Sequence, residues 1–542
     1  MNTKKLFSLT VIVWFTIAGT VAGSNERGID LYRAGLYDAA KIFFLQQKNQ
    51  SVQEQTESYY YLGRSYYALQ KTDSASHYYA RAIEIDPTYP LGHVGIGELA
   101  LARGDVKAAE ASFKTAVGLV KKDPSVQTAI ADIYVDAGMF SQAENALTKA
   151  EKIDKKYSGI FMVRGNMALK QEKQGQAYSW FGQVIHFNPN DKEAYLRLAR
   201  AYENASPPTA LSYLNQLLAI DPNYIPAFAL IGDINRAMGM YYQALEAYEK
   251  FISIPGVPLL QRDRYAQLLY LTNQFESALQ EINYVLERDP ANTVMHRLRA
   301  YTLFKLGNTS LAAQELGAFL RNTPEDQHIS LDYITYGQAL IKENQSEAAI
   351  TVLHKALALD PAKAEIYREL ASAYEGVRDF PEAIRMYEKY FELADNPNVF
   401  DFLMFGLANY YAAAQFIDED FLATRTTPEQ KQEDEAEFRS FVEKGNAAFS
   451  EVIERSPESH LGYLWRARLY TFVDLREQEG KGKAMKGYAK PYYEGLLQLI
   501  ESTNANAESR RNTEVLEAYD YLASYYLLLD DKTNAVEYYR KS

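Results

Sequence analysis

The 542-residue chain contains no cysteine. Disulfides, thiolate metal sites and cysteine nucleophiles are therefore excluded, as is lipid attachment to an N-terminal cysteine. Histidine is scarce as well. His77, His93, His186, His296, His328, His354 and His460 are scattered, and no two stand at metal-ligand spacing. His93 and His296 take the place of a bulky helix residue and are read as packing. There is no H-E-x-x-H pair and no G-x-S-x-G elbow. The stretch "EGKGKAMKG" fails as a phosphate loop, because Ala484 follows Lys483 where Ser or Thr is needed. No metal, no cofactor and no enzymatic activity are expected. Positive charge is also in deficit. The formal net charge is −13, which repels phosphate backbones, so nucleic acid is not an expected partner. Beyond the N-terminus no apolar run approaches the length of a membrane span, which needs about 18 residues or more.

The first residues read "MNTKKLFSLTVIVWFTIAGTVAGSNE". Lys4 and Lys5 are followed by an apolar run, Leu6 to Ala18, and then by small residues at Thr20-Val-Ala22 or Val21-Ala-Gly23. This order predicts a signal peptide over residues 1–23 and an exported, periplasmic or envelope-associated protein. An uncleaved anchor is the alternative, but the run is short for about 30 Å of hydrocarbon.

A period runs through the rest. Asp-Pro or Asn-Pro pairs follow apolar helical runs at Pro87, Pro189, Pro222, Pro290 and Pro361. Pro189 to Pro222 is 33 residues, Pro222 to Pro290 is twice 34, and Pro290 to Pro324 is 34. "YYYLGRSYYALQKTDSASHYYARAIEIDP", residues 59–87, serves as a template: Leu62-Gly63, Tyr66, Ala75, Tyr79, Ala82, Pro87. The same sizes recur at Gly232, Ala244, Tyr248 and Phe251, at Gly337, Ala349, Leu353 and Pro361, and at Leu370, Tyr374, Ala383 and Tyr387. Leu62, Tyr66 and Leu69 share one helical face, so each unit reads as two antiparallel helices. A lone unit cannot bury its apolar stripe, whereas stacked units can.

The pattern resembles the tetratricopeptide repeat family, with about fourteen units beginning near residues 25, 56, 90, 124, 158, 192, 225, 259, 293, 330, 364, 399, 460 and 516. The fold expected is all-α, a right-handed solenoid of stacked helix pairs. The regular array is placed at 24–398. Residues 399–542 are read as irregular repeats with insertions, and the basic run Lys481, Lys483, Lys486 and Lys490 as a solvated face or an anion-binding patch.

Gly63, Gly97, Gly165, Gly232, Gly337 and Gly406 are expected where the paired helices approach, facing small residues such as Ala75. Gly35, Gly104, Gly138, Gly239 and Gly307 are expected in the turns within pairs. The prolines should end second helices. Of the 43 tyrosines, Tyr59, Tyr66 and Tyr79 are assigned to the core, Tyr61 and Tyr78 to half-buried positions, and Tyr60 and Tyr67 to an open groove.

The resemblance implies that first helices line that concave groove and that protein or peptide partners bind there. The positions implied are Tyr60, Arg64 and Tyr67, then Glu98, Asp132 and Asp136, then Asn166 and Lys170. They continue through Arg200 and Glu203, Asp233 and Arg236, Arg297, Tyr301 and Lys305, Gln338 and Lys342, and Arg368. Some members of the family grip a peptide C-terminus with Lys and Asn one turn apart, and no such pair is read at these positions. The expectation is a non-enzymatic binding scaffold of the cell envelope. The alternatives are the sensor region of a longer signalling protein and, more remotely, an enzyme with its site in 399–542.

Overall fold

The structure, a computed structural model, describes residues 25–48, 50–478, 484–502 and 513–542. The leader reading and two residues of the basic run, Lys481 and Lys483, lie outside the described residues. Every regular element described is a helix. The chain divides into two compact units, one up to Pro290 and one from Ala291.

Among its described residues the first unit holds eight helix pairs. They are α1 (Glu26–Arg33) with α2 (Tyr37–Gln46), α3 (Val52–Ala68) with α4 (Thr72–Ile85), α5 (Pro90–Ala102) with α6 (Val106–Leu119), and α7 (Pro124–Asp136) with α8 (Phe140–Ile153). Next come α9 (Ser158–Lys170) with α10 (Gln174–Phe187), α11 (Lys192–Tyr202) with α12 (Pro207–Ile220), α13 (Ile225–Ala237) with α14 (Tyr241–Ile252), and α15 (Leu259–Leu271) with α16 (Phe275–Leu286). The Asp-Pro signals act as read. α4 stops at Ile85, and the Asp86 carboxylate accepts the Thr88 N–H at 2.9 Å, closing a turn before Pro90 opens α5. Asp221 does the same with the Asn223 N–H at 3.0 Å.

In several pairs, a glycine on the first helix meets a large side chain sixteen residues on. A Cβ at Gly63 would overlap the Tyr79 ring; Gly97 and Phe113, Gly165 and Phe181, and Gly232 and Tyr248 repeat the relation. The ring itself, rather than Ala75, therefore fills the space across from Gly63. This close fit offsets the cost of glycine in a helix, about 0.5–1 kcal/mol relative to alanine.

Three tyrosine assignments change. Tyr79 is fully buried, but Tyr59 and Tyr66 are only half-buried, with Tyr66 stacked on Tyr78 at 5.3 Å. Tyr60 is the core residue instead, packed against Tyr79 and Tyr89. The buried stripe of α3 is thus rotated by one residue from the expected one.

Gly35, Gly104, Gly138, Gly239 and Gly307 all sit at positive φ in the turns, as the pattern requires. Other pairs place ordinary residues at that position, including Gln70, Glu172 and Arg378 at φ 59°, 61° and 61°. A left-handed conformation costs a non-glycine residue about 1–2 kcal/mol. Arg378→Gly should therefore raise stability by about 1 kcal/mol after allowance for the extra freedom of unfolded glycine. A thermal melt showing no gain would contradict this.

The second unit is built from helix pairs of the same kind. It comprises α17 (Thr293–Lys305), α18 (Thr309–Asn322), α19 (Ser330–Lys342), α20 (Ser346–Leu359), α21 (Ala364–Gly376) and α22 (Phe380–Leu393). Its later part holds α23 (Val399–Ala414), the short α24 (Glu419–Thr424), the 28-residue α25 (Pro428–Arg455), α26 (His460–Arg476), α27 (Lys490–Ser502), α28 (Thr513–Leu528) and α29 (Lys532–Tyr539). The glycine-to-ring contact survives the insertion: Gly406 on α23 meets Phe449 on α25. The acidic insertion between α23 and the body of α25 forms α24 and the first turns of α25, with Thr427 capping α25.

One carboxyl group of this unit titrates near neutrality. Burial pushes Glu375 up from 4.5 to about 7, partly offset by a hydrogen bond from Tyr387. Its folded-state value exceeds the unfolded one, so its stabilising contribution is full below 4.5 and is lost as pH rises through about 7. Glu375→Gln should match the parent in acid and exceed it by about 2–3 kcal/mol above neutrality. Parallel pH–stability curves for the two proteins would refute this.

Candidate functional site

In the first unit the first helices of successive pairs lie side by side, and α1, α3, α5, α7, α9 and α11 enclose a groove of about 630 Å³. Tyr32, Tyr37, Tyr60, Tyr61 and Tyr157 bring rings to its wall, and Arg33, Arg64, Asp132, Asp136, Lys170, Glu193 and Arg197 bring charge. Positive and negative groups are nearly balanced.

A single position, read at 34-residue intervals, gives Arg64, Glu98, Asp132, Asn166 and Arg200, of which Arg64, Asp132 and Asn166 line the groove. Neighbours on this ladder bind one another. Arg64 Nη1 lies 3.1 Å from Glu98 Oε1, and Nη2 lies 3.8 Å from Asp132. Asn166 Nδ2 donates to Asp132 Oδ1 at 3.1 Å. Arg64 Nε also donates to the Tyr32 hydroxyl at 2.7 Å, and the Tyr79 hydroxyl donates to Glu98 Oε2 at 2.5 Å. Burial pushes the Glu98 carboxyl up, against the opposing pull of Arg64 and Tyr79. Asp136 is likewise pushed up, first by desolvation and then by Asp132, with Arg64 and Lys170 acting against this.

The expected groove residues thus fall into three groups. Tyr60 and Arg64 are buried, 5% and 8% exposed, rather than open to a partner. Packing consumes the Tyr60 ring, and the ladder consumes the Arg64 guanidinium. Asp132, Asp136, Asn166 and Lys170 border the groove, while Tyr67 stands half-buried outside its lining. Asn166 and Lys170 stand one turn apart on α9, an Asn and Lys pairing that the sequence reading passed over. Lys170 lies 3.9 Å from Asp136, and Asn166 Oδ1 is buried with no donor among the described residues.

The remaining residues are elsewhere. Arg200 Nη2 donates to the Ala34 carbonyl at 2.9 Å. Asp233 accepts from the Tyr248 hydroxyl at 2.7 Å and from Arg264 at 2.6 Å, and Arg236 is half-buried. In the second unit, Arg297 and Tyr301 both converge on the fully buried Asp332, at 2.8 and 2.5 Å, so they hold the stack together. Arg368 pairs with Glu369 at 3.0 Å. Lys305 and Lys342 are exposed.

Sequence reasoning missed Arg197 and Tyr61. The 34-residue ruler carried the signal, since Tyr61, Ala129, Val163 and Arg197 form a second ladder three residues before the first, and all line the groove. It also missed what closes the groove. The first pair returns onto the sixth and seventh. Lys192 Nζ on α11 reaches Asp30 at 2.6 Å and Glu26 at 2.7 Å on α1, with Asp221 at 3.3 Å. Arg33 faces Glu193 at 3.5 Å. Gly256, at φ 79°, comes so close to the Ala39 backbone that a Cβ would stand 2.8 Å from its nitrogen.

Stacked antiparallel helix pairs with a residue-lined inner face define an α-solenoid of the repeat-protein class. Models described as tetratricopeptide repeat match residues 56–89, 124–157, 193–224 and 225–256, and one described as TPR repeat matches 337–376. The chain is a tetratricopeptide repeat protein. It is similar to the TPR repeat-containing protein YpiA of Bacillus subtilis (strain 168), 21% identical over 52% of this chain and 75% of that one. It is also similar to Hsp70-Hsp90 organizing protein 1 of Glycine max, 27% identical over 20% of this chain and 19% of that one. Among solved structures, the C-terminal part of a TPR repeat-containing protein from Cytophaga hutchinsonii is 26% identical, with a TM-score of 0.39, over 52% of this chain and 93% of that one. Proteins of this family are typically interaction scaffolds without enzymatic activity.

Proposed function

We propose that the protein is a non-enzymatic scaffold of the cell envelope or periplasm that holds an extended segment of a partner protein along the inner face of its first unit. The observation that carries the reading is the wall itself. Rings, balanced charges and the undonated Asn166 carbonyl oxygen line one groove of about 630 Å³. A peptide strand supplies what such a wall lacks: backbone N–H groups for a buried acceptor, side chains of either sign, and apolar contact for tyrosine faces. A preformed helical wall loses little entropy on binding. The leader pattern in residues 1–23 supports the location.

Asp136 and Lys170 have half-exposed side chains, 52% and 53%, and so can be reversed without unsettling the core. Envelope extracts passed over immobilised parent protein and over Asp136→Lys/Lys170→Glu should yield different partner sets, with loss of the specific partner from the variant. Identical sets from both would remove the inner face of this unit as the binding surface.

A further inference from the structure

The first helix pair is held in two unlike ways. Against the second pair it packs through rings: Phe44 stacks on Tyr61 at 6.0 Å, and Tyr32 meets Tyr61 edge-on at 5.5 Å. Against the sixth and seventh pairs the contact is narrow and mostly polar. One ammonium group, Lys192, gathers Glu26, Asp30 and Asp221; Arg200 caps the Ala34 carbonyl; and a single glycine, Gly256, seats the backbone of α2. A polar cavity of about 610 Å³, lined by Asp30, Glu57, Asp191 and Lys192 among others, runs along this contact and brings water to the Glu26 end of the latch, whose side chain is 68% exposed, while that of Asp30 is 11% exposed.

In a stacked array each unit ordinarily touches only its sequence neighbours. The contact from the first pair to the sixth and seventh is additional to that scheme, and it is what turns an open groove into an enclosure. The two attachments respond differently to their surroundings. An apolar seam holds in salt, whereas the solvent-reached pair of Lys192 with Glu26 is screened within about 10 Å at 0.1 M ionic strength.

We propose that α1 and α2 form a clamp that swings on its aromatic seam with α3, opening and closing the groove, with Lys192 as the latch and Gly256 as the seat. Closed, the clamp retains a segment lying along the inner face; open, it admits a chain from the side without threading an end. What passes through rests on the groove being the binding face, but the movement itself does not.

The absence of native cysteine makes the test direct, because any introduced thiol is unique. Spin labels at Gln46→Cys on α2 and Gln216→Cys on α12, both exposed, report the clamp distance. A single thiol at Ala129→Cys in the groove wall reports access through its reaction with a bulky polyethylene-glycol maleimide. With the native latch in low salt, one distance population and slow labelling are expected. Lys192→Met removes the latch charge, and Gly256→Ala blocks the seat without altering charge. Each should add a second, longer distance and speed labelling about tenfold, equivalent to about 1.4 kcal/mol, and raising salt should act on the parent in the same direction. Exchange protection of α3 and α4 should stay intact throughout. Unchanged distances and rates in both variants would overturn the clamp, and loss of protection in α3 and α4 would replace it with simple unfolding of the first pair. Neither result alters the partner sets that test the inner face as a binding surface.

Discussion

Asp474→Ala is expected to detach residues 484–489, which lead into α27, and to cost the second unit about 4 kcal/mol or more. The Asp474 side chain on α26 is 1% exposed and accepts four hydrogen bonds. Three come from consecutive backbone N–H groups, Gly487 at 2.7 Å, Tyr488 at 2.9 Å and Ala489 at 3.0 Å, and the fourth comes from the Tyr521 hydroxyl on α28 at 2.6 Å. Truncation leaves these donors buried without an acceptor, each worth about 1–3 kcal/mol. The backbone groups can regain water only if the segment leaves its place, carrying Met485 and Ala489 out of the core cluster around Leu464 and Tyr493. Asp474→Asn should fail almost as badly, because its amide presents donors to donors. Hydrogen exchange should therefore accelerate at 487–489, and a protease should cut there in the variant alone. An intact, protected segment in Asp474→Ala would mean that ring packing rather than the carboxylate holds it.

The second large effect lies in the groove wall of the first unit. Glu98→Ala should cost about 3–5 kcal/mol, because it strands the Arg64 guanidinium, 8% exposed, without its nearest carboxylate. Asp132 at 3.8 Å is too far to take over fully. A buried ion pair repays its desolvation only in part, so the double variant Arg64→Met/Glu98→Leu should recover most of the loss. An array need not unfold in one step, so the readout is exchange protection of α3 to α8. The single variant should lose protection there while α13 to α16 keep theirs. If the double variant is as damaged as the single, the pair contributes through its shared contacts with Tyr32 and Tyr79 more than through charge compensation.

The tyrosine content takes on meaning from the same contacts. A buried tyrosine hydroxyl donates to a carboxylate on a neighbouring helix at Tyr79–Glu98, Tyr248–Asp233, Tyr301–Asp332, Tyr390–Asp401 and Tyr521–Asp474. Phenylalanine would fill the same volume and leave the carboxylate short of a donor. The rings are packing material whose hydroxyl ends tie helix to helix, within a pair at Tyr248–Asp233 and from one pair to the next at the other four.

The helix pairs, their turns and their order could be read from the sequence because each is a local matter. A glycine sixteen residues before a ring, a residue at positive φ between two helices and an aspartate before a proline all act within one unit, and the 34-residue ruler repeats them. The rotation of α3 that buries Tyr60 in place of Tyr59 was not legible, since adjacent tyrosines offer no contrast in size or polarity to fix the face. Nor was the fate of Arg64, Arg297 and Tyr301. Their partners Glu98 and Asp332 lie one repeat away, and pairing them needs the distance between stacked helices. The return of Asp30 to Lys192, 162 residues along the chain, belonged to the tertiary structure alone. Small rotations from pair to pair, none encoded by any one unit, add up until the first pair meets the sixth, and only that sum decides whether the groove is open or enclosed.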